Sequence, residues 1–469
     1  MRESDVGVYG LGAMGEGFAL NLASKGLRVS VYNRTAERTR EFVSRHVKED
    51  QIKPTYSVEE FVKSLDRPRR IFVFVKAGPA VDEVLSSLLP HLENGDVIVD
   101  CGNSHFRDSD RRHGELGSKS IEFVGMGVSG GYEGALRGPS LMAGGSIRGY
   151  SELEGVLRDI AAKFQGDPCA GYFGPGGGGH LVKTVHNGIE YALMGAVAET
   201  YHLLKAALRL GNDELSDLFR DWSRGELSSF LVEATAEVLA YREGGEELLE
   251  KVLDVAEQKG TGIWTSQLSL ELGVSAPSID EAVHYRFVSA MKDLRSKYSR
   301  HSCALTSGGK LDREEVIESA KRSLYLSHLS SYLQGLTLLY ESSKHLRYGF
   351  DPSEAFRVWR AGCIIRSRIV ERAYSAFRSS EGERPEQFLE EFSGDFRSGM
   401  VYWRNFVVLA VQLGVPVPVT SSALNWFNSI TSRWIAANVV QALRDYFGRH
   451  GFYRVDRPGT FTSNWGRGV

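Results

Sequence analysis

The 469-residue sequence predicts an α/β N-terminal domain built on a parallel sheet, then a large all-α domain and a C-terminal tail. Three observations carry that expectation. Short apolar runs alternate with helix-length segments through the first third, the pattern of parallel strands joined by crossover helices. Glycine is crowded there too, with 28 of the 51 glycines in residues 1–179. Prolines number 13, yet none falls between Gly176 and Ala276 or between Ser278 and Asp351, which leaves room for long helices. The expected boundaries are 1–178, 179–436 and 437–469.

The elements follow in order. Val6–Tyr9 is a first apolar run, and Gly15–Lys25 has helical length after it. Further strands are expected at Arg28–Tyr32, Arg70–Val75, Val97–Asp100 and Glu122–Val128, with a helix over Val81–Leu92. A last strand-like piece, Cys169–Phe173, ends at Gly174-Pro-Gly-Gly-Gly-Gly179, where the first domain is expected to close. From His180 to Leu210 apolar residues keep helical spacing. Gly211, after the basic Lys205 and Arg209, reads as a helix stop. Arg313–His345 has the same character. An internal repeat joins the two stretches: Gly211-Asn-Asp213 leads to Phe219-Arg-Asp-Trp222-Ser-Arg-Gly225, and Gly349-Phe-Asp351 leads to Phe356-Arg-Val-Trp359-Arg-Ala-Gly362. A spacing of 137 residues with one of slippage is too long for a solenoid. It reads as a duplicated helical half-domain, with chance similarity as the alternative. From about Phe447 the chain is rich in Gly, Arg and aromatics without a period, as in an extended tail.

Composition narrows the function. With 42% hydrophobic and 25% charged residues the chain is of ordinary globular type. A net charge of −3 argues against a nucleic-acid partner, which calls for a basic excess. Cys101, Cys169, Cys303 and Cys363 are widely separated, which fits a reducing compartment better than a disulfide or zinc framework. No H-E-x-x-H and no carboxylate cluster with metal spacing occurs, so no metal is expected. No signal or spanning segment stands out, and the expected location is the cytoplasm, away from membranes.

Gly10-Leu11-Gly12-Ala13-Met14-Gly15 fits G-x-G-x-x-G between a strand and a helix. The first glycine permits the tight turn, the second lets the backbone approach a pyrophosphate, and the third allows close helix packing. This predicts a Rossmann-type dinucleotide site with phosphate at a helix N-terminus. An NAD site usually ends its second strand in an acidic residue that bonds the ribose 2′-hydroxyl. This chain has Asn33-Arg34-Thr35 instead. An uncharged Asn33 removes repulsion of a 2′-phosphate and Arg34 can bind it, so the expected cofactor is NADP.

Lys183, His186, Asn187 and Glu190 stand at i, i+3, i+4 and i+7 and line one helix face. Such a face can simply be the solvated side of a helix. Against that, the segment directly follows four glycines, and the face continues into Tyr191, Met194 and Val197. A partly buried Lys183 can have a lowered pKa and act as a base, and Glu190 can serve as an acid two turns on.

At this point the sequence resembles the 6-phosphogluconate dehydrogenase family over essentially its whole length. The marks are Asn33-Arg-Thr35, Val75-Lys76-Ala77, Asp100-Cys-Gly-Asn103-Ser, Gly127-Val-Ser129-Gly130-Gly131 and Lys183-x-Val-His-Asn-Gly-Ile-Glu-Tyr191. To these are added Lys259-Gly-Thr-Gly262, Gly362-Cys-Ile-Ile-Arg366 and Arg444-Asp-Tyr-Phe-Gly-Arg-His450. The block ending at Tyr191 is highly specific. The resemblance implies metal-independent oxidative decarboxylation of 6-phosphogluconate to ribulose 5-phosphate with reduction of NADP, in the oxidative branch of the pentose phosphate pathway. It implies Lys183 as base at the 3-hydroxyl and Glu190 as acid at C1 of the enediol. Val75, Lys76, Ala77 and Asn103 go with the cofactor. Asn103, Ser129, Gly130, Gly131, His186 and Asn187 go with the sugar acid, and Tyr191, Lys259 and Arg286 mainly with the phosphate. Arg444 and His450 match residues supplied by the tail of a second subunit, which implies a homodimer. Without the family, Lys259 is a plausible anion site while Arg286 and Arg444 are only surface charges.

This chain departs from the family in three places: Gly12 stands where alanine is usual, Tyr132 replaces an acidic residue, and Cys101 replaces a frequent glycine. Two rival readings remain open. A shorter 3-hydroxyacid dehydrogenase would lack the second helical half and the tail. A non-catalytic NADP-binding sensor would be expected to have lost Lys183 or Glu190.

Overall fold

Strands β1 (Val6–Tyr9), β2 (Val29–Tyr32) and β5 (Val97–Asp100) are buried at every residue, as expected of strands covered on both faces. In the computed structural model, which describes residues 3–46, 51–258, 260–301, 311–379 and 382–466, they lie in an eight-stranded sheet. The other members are β3 (Ile52–Pro54), β4 (Arg70–Val73), β6 (Glu122–Ser129), β7 (Ser140–Gly145) and an edge strand, Ala170–Tyr172. The order is edge strand-β7-β6-β5-β4-β1-β2-β3. β1 pairs in parallel with both β2 and β4, so the strand order reverses beside it. Ligands of open α/β sheets bind at that switch point, beyond the carboxyl ends of the strands.

One pairing departs from the expected parallel sheet. β6 and β7 run antiparallel, from Val124 opposite Gly145 to Ser129 opposite Ser140. The ten intervening residues hold only the short helix Gly131–Arg137, and a parallel crossover needs a dozen residues or more. The predicted strand Arg70–Val75 stops at Val73, where the chain leaves the sheet toward the helix Pro79–Leu88. Two apolar clusters, one around Val8, Phe18 and Val124 and one around Phe61, Ile71 and Phe123, hold the domain together.

Beyond the sheet the chain is helical. Gly178–Leu208, Arg313–His345 and Arg384–Leu413 are long helices that share one core, including Leu181, Val185, Leu329, Leu336, Phe396 and Trp403. No described helix is long and apolar enough to cross a membrane. Contrary to expectation, Gly211 does not end the first long helix. Arg209 takes the left-handed turn at φ 56°, and Gly211 becomes the N-cap of the next helix, Asn212–Trp222. The sequence repeat has a structural counterpart. Phe219 and Trp222 pack with ring centroids 5.0 Å apart, and Phe356 and Trp359 at 5.5 Å. Just beyond each pair, Ser229 and Ser367 meet in an antiparallel bridge, so corresponding points of the two halves touch.

The end of the chain is more ordered than an aperiodic tail. Ala437–Gly448 forms a helix, and Phe452–Tyr453 pairs with Thr460–Phe461. The Asp445 carboxylate ties them together by accepting from the amides of Gly451 and Ser463, the Thr462 hydroxyl and the Trp465 indole. Trp434, Ile435, Val439, Val440, Leu443 and Phe447 remain exposed along this segment.

Candidate active site

The turn Gly10–Gly15 joins β1 to the helix Ala13–Ser24. A Cβ on Gly10 would lie 2.2 Å from the Phe74 carbonyl oxygen, and one on Gly15 would lie 1.9 Å from that of Gly10. Gly12 faces open space instead, with nothing within 4 Å of a Cβ. The turn is therefore packed from beneath and open above, which fits a pyrophosphate, and the open space equally accommodates the alanine usual at Gly12. Asn33 braces the turn by accepting from the Leu11 amide at 3.1 Å.

Two clefts meet at Gly12 and Ala13. One, of about 470 Å³, is lined by Leu11, Gly12, Ala13, Glu16, Asn33, Thr35, Arg38 and Arg45. The other, of about 270 Å³, continues past Met14, Gly15, Phe74, Val75, Cys101, Gly102 and Asn103 to Val128. Together they fit the two halves of a dinucleotide laid across the switch point. Arg34 stands at the rim of the first, strongly exposed, 3.8 Å from Glu83. Lys76 and Ala77 follow Val75 in the loop after β4. That loop and the Asn103 loop are fixed by a fully buried Arg112, which bonds Asp82, Asp100 and the Gly78 carbonyl.

The first long helix meets this sheet at its N-terminal end. Gly127 of β6 lies so close that a Cβ there would stand 2.4 Å from Lys183 Cβ. Lys183 is 7% exposed, and its ammonium donates to Asn187 Oδ1 at 2.8 Å and stands 3.3 Å from His186 Nδ1. His186 Nδ1 also stands 3.2 Å from Asn187 Oδ1, and Nε2 faces Ser129 Oγ at 3.2 Å, so the ring bridges the lysine pair to Ser129. Burial pushes the Lys183 pKa below its ordinary 10.5 against the opposing pull of Glu190. Burial, then the neighbouring Lys183, holds His186 well below 6.5 and so neutral. Glu190 Oε2 lies 3.8 Å from His186 Nδ1, and burial raises its pKa above 4.5 although Lys183 and Arg286 resist. The site therefore holds a lysine biased toward the free amine and a carboxyl biased toward the acid.

Ser129, Gly130 and Gly131 close the cleft beside this face. Gly130 takes φ 115°, and a Cβ on it would meet the Gly362 carbonyl at 2.6 Å, which leaves no room for a side chain. Gly362-Cys363 thereby enters the site from the second helical half. On the far side, Arg286 stacks over Tyr191 with its guanidinium carbon 3.5 Å from the ring centroid, and donates to the Glu257 carbonyl at 2.9 Å. Arg286 thus packs on the helix that carries Lys183 and Glu190, where its charge opposes the upward shift of Glu190, and is not the isolated surface charge that its sequence context implies. Lys259 lies outside the described residues. Arg444 and His450 sit in the exposed C-terminal segment, where Arg444 donates to Gln441 at 3.0 Å.

Sequence reasoning missed Glu16, Arg38 and Arg45 in the nucleotide cleft. Arg38 lies four residues beyond Arg34, one turn into a helix starting at Ala36, so its helical spacing could have marked it. Glu16 and Arg45 are 29 residues apart and carried no local signal.

A dinucleotide cleft at the switch point, bordered by β6 against which a helix packs a buried lysine and carries a partly buried glutamate, defines a nicotinamide-dependent dehydrogenase. Residues 5–174 match the family described as the NAD binding domain of 6-phosphogluconate dehydrogenase, and residues 179–465 match its C-terminal domain. The chain is 43% identical to the NADP(+)-dependent, decarboxylating 6-phosphogluconate dehydrogenase of Bacillus subtilis, with 99% of this chain and all of that one covered. It is 40% identical to the decarboxylating enzyme of Escherichia coli K12 at the same coverage. The Plasmodium falciparum 6-phosphogluconate dehydrogenase, solved apo, with its cofactor NADP+ and with its substrate 6-phosphogluconate, superposes with a TM-score of 0.94 at 38% identity, covering 98% and 100% of the two chains. This chain belongs to the 6-phosphogluconate dehydrogenase family.

Proposed function

We propose that the chain catalyses oxidative decarboxylation of 6-phosphogluconate to ribulose 5-phosphate and CO2 with NADP as oxidant. The observation that carries the reading is Lys183, buried against Gly127 beside Val128 of the cofactor cleft and bonded to Asn187 and His186, with Glu190 two turns along. NADP, when bound, accepts the hydride from C3. Gly10–Gly15 would hold its pyrophosphate, and Asn33, Arg34 and Thr35 its 2′-phosphate. The loops of Val75, Lys76, Ala77 and Asn103 would border its nicotinamide end.

Neutral Lys183 takes the proton of the 3-hydroxyl as C3 is oxidised. The resulting 3-keto acid breaks its C1–C2 bond and releases CO2. The electron pair left behind becomes an enediolate, whose oxygen recovers the proton from Lys183. His186 and Asn187 hold that ammonium in place, so the developing negative charge meets a fixed cation in a site shielded from water. Glu190 then protonates the carbon that becomes C1 of the product, and Lys183 takes back the enol proton. Return of one proton from Lys183 to Glu190 resets the site. Ser129, Gly130 and Gly131 border the carboxylate-bearing end. Tyr191 and Arg286, with Lys259, serve the phosphate.

The exposed apolar face of the C-terminal segment supports a homodimer in which Arg444 and His450 complete the neighbouring site; the proposed location is the cytoplasm. The test mixes protein, 6-phosphogluconate and NADP and follows NADPH absorbance with CO2 release. Both products are expected in equal amounts. No NADPH would overturn the enzyme reading, and NADPH without CO2 would leave a plain dehydrogenase. A fully active monomer under assay conditions would overturn the dimer.

A further inference from the structure

The larger nucleotide cleft holds an acidic side chain that its expected ligand does not explain. Glu16 stands in the first turn of the helix Ala13–Ser24, next to the turn that fits a pyrophosphate, and is 8% exposed. A carboxylate there shares the cleft with Asn33, Thr35 and Arg38, where an adenosine 2′-substituent would come. Its one cationic partner among the described residues is Arg45, whose Nη2 donates to Glu16 Oε1 at 2.8 Å. Arg45 reaches across from the last turn of the neighbouring helix, Ala36–Arg45, and lines the same cleft.

We infer that the Glu16–Arg45 ion pair is a specificity device, in which Arg45 cancels a carboxylate that would otherwise exclude a 2′-phosphate. The inference rests on the NADP reading above. Its sign follows from charge. A 2′-phosphate approaches two negative charges at neutral pH, so an unpaired Glu16 repels it. A 2′-hydroxyl is a neutral donor, and a carboxylate at this end of the cleft accepts from it, as acidic residues do in NAD sites. Removal of Arg45 therefore turns an NADP cleft toward NAD, while removal of both charges restores the original preference. Arg45 acts through Glu16 as a positioning residue and need not touch the ligand.

Binding of NADP, NAD, 2′,5′-ADP and 5′-AMP to the intact protein by calorimetry tests this. Arg45→Ala should weaken NADP and 2′,5′-ADP by about tenfold or more while NAD and 5′-AMP bind as well as before or better. Glu16→Gln/Arg45→Ala should return NADP to within about threefold of the parent, the cycle that isolates an interaction between two side chains. Arg45→Lys, which keeps the charge, should keep the preference. Equal loss for NADP and NAD in Arg45→Ala, no loss at all, or a double variant as weak as Arg45→Ala would each overturn the inference; the last would mean that Arg45 itself binds the phosphate. Unaltered NAD binding by Arg45→Ala reports that the cleft is folded. A parent protein with no preference for NADP over NAD would instead overturn the underlying reading of the cofactor.

Discussion

Gly127→Ala should disable the enzyme without emptying its nucleotide site. The added methyl carbon would lie 2.4 Å from Lys183 Cβ, 2.9 Å from its Cγ and 3.4 Å from the Gly179 carbonyl oxygen. Ordinary carbon contacts begin near 3.4 Å, so β6 and the long helix must part by about 1 Å, the difference of the two distances. A rotamer change cannot relieve this, because both Cβ positions are set by backbone. The helix resists moving as a body, since Leu181, Val182 and Val185 beside Lys183 are fully buried. Overpacking of that kind costs about 1–3 kcal/mol of stability, and a 1 Å displacement of a catalytic group costs about 10²-fold in turnover. The assay is steady-state NADPH formation alongside a thermal midpoint and NADP affinity, which should stay within about threefold because the adenosine end is remote from the change. Gly114→Ala is the control, because its Cβ meets nothing within 4 Å on an exposed helical position. It should keep full activity and gain about 0.5–1 kcal/mol. A Gly127→Ala protein with parental turnover and melting would refute the claim that this contact places Lys183.

The remaining predictions concern charge. Lys183→Met should lower turnover by at least about 10²–10⁴-fold while NADP still binds; substantial activity would show that another group is the base. Arg34→Ala should weaken NADP by about 1.5–3 kcal/mol and NAD far less, and equal loss would refute the 2′-phosphate role. Burial lowers Lys183 from 10.5 and raises Glu190 from 4.5, so the need for a free amine and a protonated acid gives a bell-shaped pH profile with drawn-in limbs. In Glu190→Gln the residual overall turnover should lose its alkaline limb and keep rising to the Lys183 pKa; a retained alkaline limb would exclude Glu190 as the acid. Glu199, buried while accepting from the amides of Val419 and Thr420 at 2.7 and 2.8 Å, has its pKa raised from 4.5 to about 7. The folded chain then binds the proton more tightly than the unfolded one, so stability should fall as pH rises from 4.5 to about 7 and level off above. The span corresponds to about 3 kcal/mol, and thermal midpoints of Glu199→Gln should lose that slope.

Much of the fold and half of the site were legible because their signals are local. A buried strand, three glycines and a helix within twenty residues describe the pyrophosphate turn, and the spacing of Lys183, His186, Asn187 and Glu190 describes one helix face. What stayed hidden depends on contacts distant in sequence. Ser140–Gly145 ends in Ala-Gly-Gly and lacks the branched residues of a strand. It becomes one because Gly144 must admit the backbone of Gly179, whose amide nitrogen would lie 2.3 Å from a Cβ there. Arg286 gains its place from Tyr191, 95 residues earlier, and from the Glu257 carbonyl. The helix Ala437–Gly448 stands where the sequence predicts an extended tail; Val439, Val440, Leu443 and Phe447 keep helical spacing, but their apolar stripe has no core to pack on in the single chain.

Those distant contacts share a physical role. The proposed acid–base pair, Lys183 and Glu190, rides on one long helix, while the nucleotide cleft is carved from a sheet in another part of the chain. Their separation is set by backbone-to-backbone packing of glycines, not by any side chain that reacts. Tyr348 strengthens that joint by donating to Asp110 at 2.8 Å, and Asp110 in turn accepts from the Gly177 amide at 2.7 Å just before the helix begins. Side-chain packing could be adjusted by a rotamer; glycine packing cannot. An enzyme that must place a proton acceptor and a hydride acceptor about 3 Å from neighbouring atoms of one small substrate gains from a joint of that kind. It follows that substitutions along the glycine seam should lower turnover before they lower cofactor affinity, whereas substitutions around Asn33 and Arg34 should do the reverse.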